Sequence, residues 1–275
     1  MKIDGFGKIY IIHHAPLKER GDYLRKRIKE LGIEDIVTFD VTYEKKPLTK
    51  REYSYYDFSE EAWKDRLTVI GKILKNTNHP LKENEIRVCL RHIKILKKIA
   101  SKKDSNVYMI MEDDVLINND FVNRLKELIK QLKNVKWDIC YVGKGGMFIE
   151  PKATNGNLYI PKNKSSNGAS SYLLTPTSAR KFLKYMKKFA LAIDGEYGYI
   201  QKKYNFNVYW GVPFLTREGS VEGFYRSDVR KSSLTQKANL FLNKIRNINP
   251  KLANFFAYLF YYILKIKNKI LYNHE

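Results

Sequence analysis

The sequence predicts an α/β fold, an open and mostly parallel sheet covered by helices, followed by a basic, aromatic, helical appendage. Three observations predict it. The chain opens with a β-branched run, an amphipathic segment and a second β-branched run, a βαβ unit whose parallel pair needs a covering helix. Apolar runs and helical periodicities then keep alternating through Trp210. Finally, no acidic residue occurs from Val229 to His274 while nine Lys and Arg do, which divides the chain into 1–228 and 229–275.

Ile9-Tyr10-Ile11-Ile12 reads as the first buried strand. The helix over 17–31 carries Leu24, Ile28 and Leu31 on one face and ends at Gly32, and Ile36 to Phe39 resumes a strand. Residues 44–80 are irregular: loops around a short helix containing Trp63, read as a surface insertion or as a lid over an acceptor site. Ile86, Leu90, Ile93, Leu96 and Ile99 share one face of a helix over 83–101. A strand over 106–111, a helix over 121–132 and a strand over 137–142 follow. After the Gly-, Lys- and Asn-rich stretch 143–168, Ser171 to Leu174 forms a strand. Thr175 as N-cap and Pro176 at the first helical position start a helix running to about Phe189.

The 275 residues are 44% hydrophobic and 29% charged, with 20 Tyr and 14 Phe, which is a folded composition. Net charge is +22, so the partner is expected to be anionic: nucleic acid, a membrane surface or a phosphorylated small molecule. Lys-rich codon usage would account for part of the excess. Cys89 and Cys140 are too few for a disulfide framework or a Cys-rich zinc site and read as buried thiols. The first apolar run is too short for a secretory signal, so a cytosolic location is expected. No window has the length of a membrane span.

The most informative segment is Val107 to Val115, in which Glu112, Asp113 and Asp114 directly follow an apolar strand. Adjacent like charges raise one another's pKa unless a cation neutralises them. Extended alternation would send Glu112 and Asp114 to one side and Asp113 to the other, and two oxygen donors suit Mg²⁺ or Mn²⁺. A solvated acidic turn before the next helix is the alternative.

Four blocks, in order, resemble glycosyltransferase family 25, which includes lipooligosaccharide galactosyltransferases and procollagen galactosyltransferases. They are Ile9 to Ile12 with Arg20; Leu81 to Ile93; Ile110 to Val115; and Ser171 to Leu174 through Ser178 and Ala179 to Asp194. Departures are His13-His14 where Asn-Leu is usual, Arg91 in place of a serine, and a missing Asp-Gly near Val41-Thr42. The resemblance implies a GT-A-like sandwich that binds a nucleotide sugar, usually a UDP-sugar, with a divalent metal and inverting chemistry. It implies Asp114 and Glu112 as metal ligands, with Glu112 and Asp113 also near the donor, and Asp194 or Glu196 as the general base. A helix N-cap role is the structural alternative for Asp194.

Further donor-binding candidates are Arg20, His13, Glu85, His92, Lys144 in Gly143-Lys144-Gly145-Gly146, and Arg217, with Arg226 beside it. Each has a plainer alternative as a solvated, capping or hydrogen-bonded core residue. The acceptor would be a hydroxyl of a glycan, glycolipid or protein, and the sugar galactose or glucose. The tail contains Leu252 to Leu264 between Lys251 and Lys265; thirteen helical residues span about 20 Å, short of a bilayer's roughly 30 Å core. It therefore reads as an interfacial helix on anionic lipid, or as a terminal helix packed on the enzyme. Two other functions remain: a nucleic-acid-binding protein, for which only charge argues, and an inactive family member serving as a membrane-bound subunit.

Overall fold

β1 (Phe6–His14), α1 (Lys18–Glu30) and β2 (Val37–Thr42) form the expected βαβ unit, with Ile9 beside Val37 and His14 beside Thr42 in a parallel pair. Gly32, just past α1, has φ +63°, a left-handed conformation that costs glycine no Cβ clash. The structure is a computed structural model, and it describes residues 2–42, 47–71, 79–144, 152–161, 166, 168–222 and 224–225. The expected tail over 229–275, Arg226, and Gly145 and Gly146 lie outside the described residues.

Two helices, not one, occupy the irregular stretch: α2 (Lys50–Tyr53), capped by Thr49, and α3 (Glu60–Ile70), capped by Ser59. Nor is the stretch only a surface insertion, because Leu48, Tyr56 and Ile70 are buried in the core. α4 (Glu83–Ala100) leads into β3 (Val107–Glu112), and β4 (Val115–Ile117) follows the acidic turn. Next come α5 (Phe121–Leu132), β5 (Ile139–Tyr141), β6 (Gly143–Lys144), β7 (Lys152–Asn155) and β8 (Leu158–Ile160). β9 (Ser171–Leu174), α6 (Pro176–Tyr185), α7 (Ile193–Lys203), β10 (Val208–Gly211) and β11 (Thr216–Glu218) complete a unit that ends at Glu218. α8 (Gly219–Glu222) belongs to the second unit, residues 219–275.

The main sheet has eight strands in the order β2-β1-β3-β9-β5-β10-β8-β7. Six run one way, but β9 and β8 run against their neighbours, so the sheet is mixed. A second, three-stranded sheet, β4-β11-β6, was not foreseen from the sequence. Alternation along the central strands builds two cores. Tyr10, Ile12, Tyr108, Ile110, Tyr172 and Leu174 pack with α4, α6 and α7, whereas Ile9, Ile11, Met109, Met111 and Leu173 pack with α1 and α5. Each fully buried Ile or Leu contributes about 1.5–3 kcal/mol relative to exposure.

One placement differs from expectation in a way that matters. Asp194 lies neither in an interhelical loop nor at a cap: Ala192 caps α7, and Asp194 and Glu196 sit in its first turn. Among the described residues, no helix is long and apolar enough to cross a membrane.

Candidate active site

β1 and β3 pair in parallel with Ile12 beside Glu112, so the acidic triplet emerges at the carboxyl ends of the central strands. Sheet alternation then separates the carboxylates. Asp113 continues the α1-facing set. Its Oδ2 lies 2.8 Å from His13 Nδ1 and accepts the His14 amide at 2.9 Å, while Oδ1 accepts from Arg20 Nη1 at 3.1 Å. Burial pushes this carboxyl up, but the His13 bond, the His14 amide and Arg20 outweigh it and hold the pKa below the ordinary aspartate value. Gly21 makes room for this cluster, since a Cβ there would stand 2.5 Å from His13 Nε2. The structure therefore places Arg20 and His13 against Asp113 at the carboxyl ends of β1 and β3.

Glu112 continues the opposite set, toward α4 and α7. His92 Nε2 lies 3.1 Å from its Oε1. Burial raises the Glu112 pKa well above the ordinary value, and the charges of Asp114, Asp194 and Asp113 raise it further, with only Arg20 opposing. His92 is fully buried, and burial with help from Arg91 lowers its pKa to about 3, so its imidazole is neutral. Arg91 Nη2 in turn lies 3.4 Å from His14 Nδ1. The residues that depart from the family pattern, His13, His14 and Arg91, thus meet beside the acidic motif.

The two carboxylates of α7 have different tasks. Glu196 is fully buried; Arg66 Nε donates to both its oxygens at 2.8 and 3.0 Å, and the Ala190 and Leu191 amides donate to Oε2. Glu196, expected as a base at the acceptor, is thus held on all sides by protein donors in this structure. The Asp194 carboxylate is half-buried and takes no hydrogen bond from any described residue, yet it is close enough to repel Glu112. Glu85 is buried and accepts the Lys82 amide at 2.8 Å, which makes it a cap of α4.

The small sheet brings two cations to the same edge. Arg217 is the register partner of both Lys144 and Leu116, so Lys144 and Arg217 stand side by side, Arg217 one strand and Lys144 two strands away from the residues following Asp114. A cavity of about 390 Å³ lined by Gln201, Asn205, Asn207 and Val208 opens instead at the amino end of β10, away from the acidic edge.

Among the described residues, no three His, Cys, Asp or Glu side chains converge as a ready-made metal cage. Mg²⁺ and its relatives need none when substrate phosphates complete the shell around one or two carboxylates. The oxygens of Glu112 and Asp114, with Asp194 nearby, fit such a hard ion chemically, because a cation offsets both the burial that chiefly raises Glu112 and the carboxylate repulsion that adds to it. Sequence reasoning missed Arg66, Tyr172 and Tyr197 as supports of the site. The local hints were Tyr172, which lies in the fourth family-like block, and Tyr197, one helical turn beyond Asp194.

An α/β sandwich with carboxylates at its carboxyl strand ends has the form of an enzyme working at that edge. The family model for glycosyltransferase family 25 (LPS biosynthesis protein) matches residues 6–196, from β1 through Asp194 and Glu196. The chain belongs to that family and is a glycosyltransferase, an enzyme that takes a sugar donor and a glycan-type acceptor. No curated protein matches the sequence.

Proposed function

We propose that the chain is a metal-dependent, inverting glycosyltransferase that moves galactose or glucose from a UDP-sugar to a hydroxyl of a glycan, glycolipid or protein acceptor. The observation that supports this reading is the placing of Glu112 and Asp114 at the carboxyl end of the central strands with Asp194 in Coulombic range, where burial first and the neighbouring carboxylates second raise the Glu112 carboxyl. Asp114 and Glu112 would hold Mn²⁺ or Mg²⁺, which supplies positive charge where the departing diphosphate becomes more negative. Lys144 and Arg217, adjacent across β6 and β11, would face the same diphosphate.

Asp194 is the base. Its half-exposed carboxylate would take the proton of the acceptor hydroxyl while that oxygen attacks the anomeric carbon, and the bond to UDP breaks with its electron pair on the leaving oxygen. Asp113 does no chemistry in this scheme; with His13, His14 and Arg20 it fixes the turn that presents its two neighbours. A basic tail that docks on anionic lipid would bring the enzyme to a glycolipid acceptor, and 229–275 is the segment to test for that.

The test is a panel of UDP-sugars incubated with the full chain, with Mn²⁺ and with EDTA. UDP release from one or more sugars with Mn²⁺, abolished by EDTA, is expected. Release that persists undiminished in EDTA would defeat the metal-dependent reading, and no release from any UDP-sugar would defeat the choice of donor.

A further inference from the structure

Behind Glu112 runs a line of buried polar groups that the proposed chemistry does not itself use. His92 Nδ1 lies 2.8 Å from the Tyr172 hydroxyl, which lies 2.8 Å from the Tyr197 hydroxyl. His92, Tyr172 and Tyr197 are all fully buried. The rings are packed as tightly as the polar atoms: His92 stacks on Tyr172 at 5.9 Å, and Tyr197 stands edge-on to both. The four residues come from four elements, β3, α4, β9 and α7. The far end, Tyr197, is three residues beyond Asp194 on α7.

Donor and acceptor inventory sets the direction of this chain. With a divalent cation bound, Glu112 is a carboxylate and only accepts, so His92 Nε2 then carries the hydrogen and Nδ1 is left to accept. Tyr172 must then donate to Nδ1, and its oxygen accepts from Tyr197. Each ring nitrogen is thereby used once, the Tyr172 hydroxyl both donates and accepts, and the carboxylate at the end of the line receives one directed bond. A fully buried network of this kind holds a single geometry, because any rotation leaves a polar group unsatisfied in a dry interior.

We infer that His92 is a positioning residue, held by Tyr172 and Tyr197, which fixes the Glu112 carboxylate in the orientation that binds the divalent cation of the nucleotide-sugar complex. This rests on the proposed function, since it gives Glu112 a metal to hold. Outer partners that orient a ligand typically change metal affinity by about 10–100-fold when removed.

The experiment is titration of Mn²⁺ into the full-length protein with saturating UDP, followed by electron paramagnetic resonance, for the wild type and for His92→Gln, His92→Asn and Tyr172→Phe. Gln places its amide nitrogen near the lost Nε2 and reaches Glu112, whereas Asn replaces only Nδ1 and reaches Tyr172. Both are polar and uncharged, so a purely structural role would treat them alike. The expected result is Mn²⁺ affinity within about threefold of wild type for His92→Gln and about tenfold or more weaker for His92→Asn. Equal affinities for folded His92→Gln and His92→Asn would overturn the inference. If either His92 variant fails to fold, Tyr172→Phe decides, since it keeps the ring and removes one link; wild-type affinity there would overturn it too. A wild type that binds no Mn²⁺ with UDP would fell the proposed function and this inference together, whereas a binding wild type with unimpaired variants fells the inference alone.

Discussion

At the level of single residues, the site depends on how three adjacent carboxylates are parted. Sheet alternation turns Asp113 to His13 and Arg20 and leaves Glu112 facing His92, so neighbours in sequence have opposite charge environments. That separation was legible in the sequence from the strand pattern alone. The partners of Asp113 were not, because His13 and Arg20 lie 100 and 93 residues away and nothing local marks either as its mate. The same holds for the choice between Asp194 and Glu196, two residues apart and alike in chemistry. Only the fold shows Glu196 buried against Arg66 and Asp194 half-exposed within Coulombic range of Glu112. Asp194→Asn is accordingly expected to lower turnover by about 10²-fold or more while UDP-sugar affinity stays within about threefold. Steady-state kinetics and calorimetric donor binding check it, and unchanged turnover with retained binding would remove Asp194 from the base role.

Among the elements, three ion pairs centred on two buried carboxylates, Glu196 and Asp40, tie helices to their neighbours. Arg66 ties α3 to α7, with its remaining nitrogens donating to the Ala62 and Lys188 carbonyls. Truncating one partner strands a buried charge, so Arg66→Ala is expected to cost about 3–5 kcal/mol of stability, measured by urea unfolding. Asp40 on β2 accepts from Lys94 and Lys98 of α4. Burial pushes the Asp40 carboxyl up, but the two lysines outweigh it and hold the pKa below the ordinary aspartate value. A depressed carboxylate gives stability that is full above the ordinary value and is lost as pH falls through the folded one. Asp40→Asn should therefore cost about 1–3 kcal/mol at pH 7 and progressively less below pH 4, as paired urea midpoints would report. Helices with a strong apolar face, such as α4 and α5, were legible in sequence because their periodicity is local. Strands β6, β7 and β8 were not, being two to four residues long and set within a polar stretch.

For the whole molecule, alternation of strands and helices was enough to name an α/β sandwich, and four ordered blocks were enough to name the family that the family model identifies. Strand direction escaped, since β9 reverses between β3 and β5 through contacts that no local pattern encodes. The small β4-β11-β6 sheet escaped for the same reason, and with it the meeting of Lys144 and Arg217. The net charge of +22 first pointed as readily to nucleic acid; on the fold, two of its cations, Lys144 and Arg217, lie side by side in the small sheet whose strand β4 follows the acidic turn, and under the proposed function they would meet a metal-bound diphosphate. A crystal of the full chain soaked with UDP and Mn²⁺ tests this most directly. Mn²⁺ is expected on Asp114 and Glu112, with the diphosphate lying between the ion and the Lys144–Arg217 pair. Mn²⁺ and UDP bound elsewhere, with Asp114 and Glu112 untouched, would contradict it.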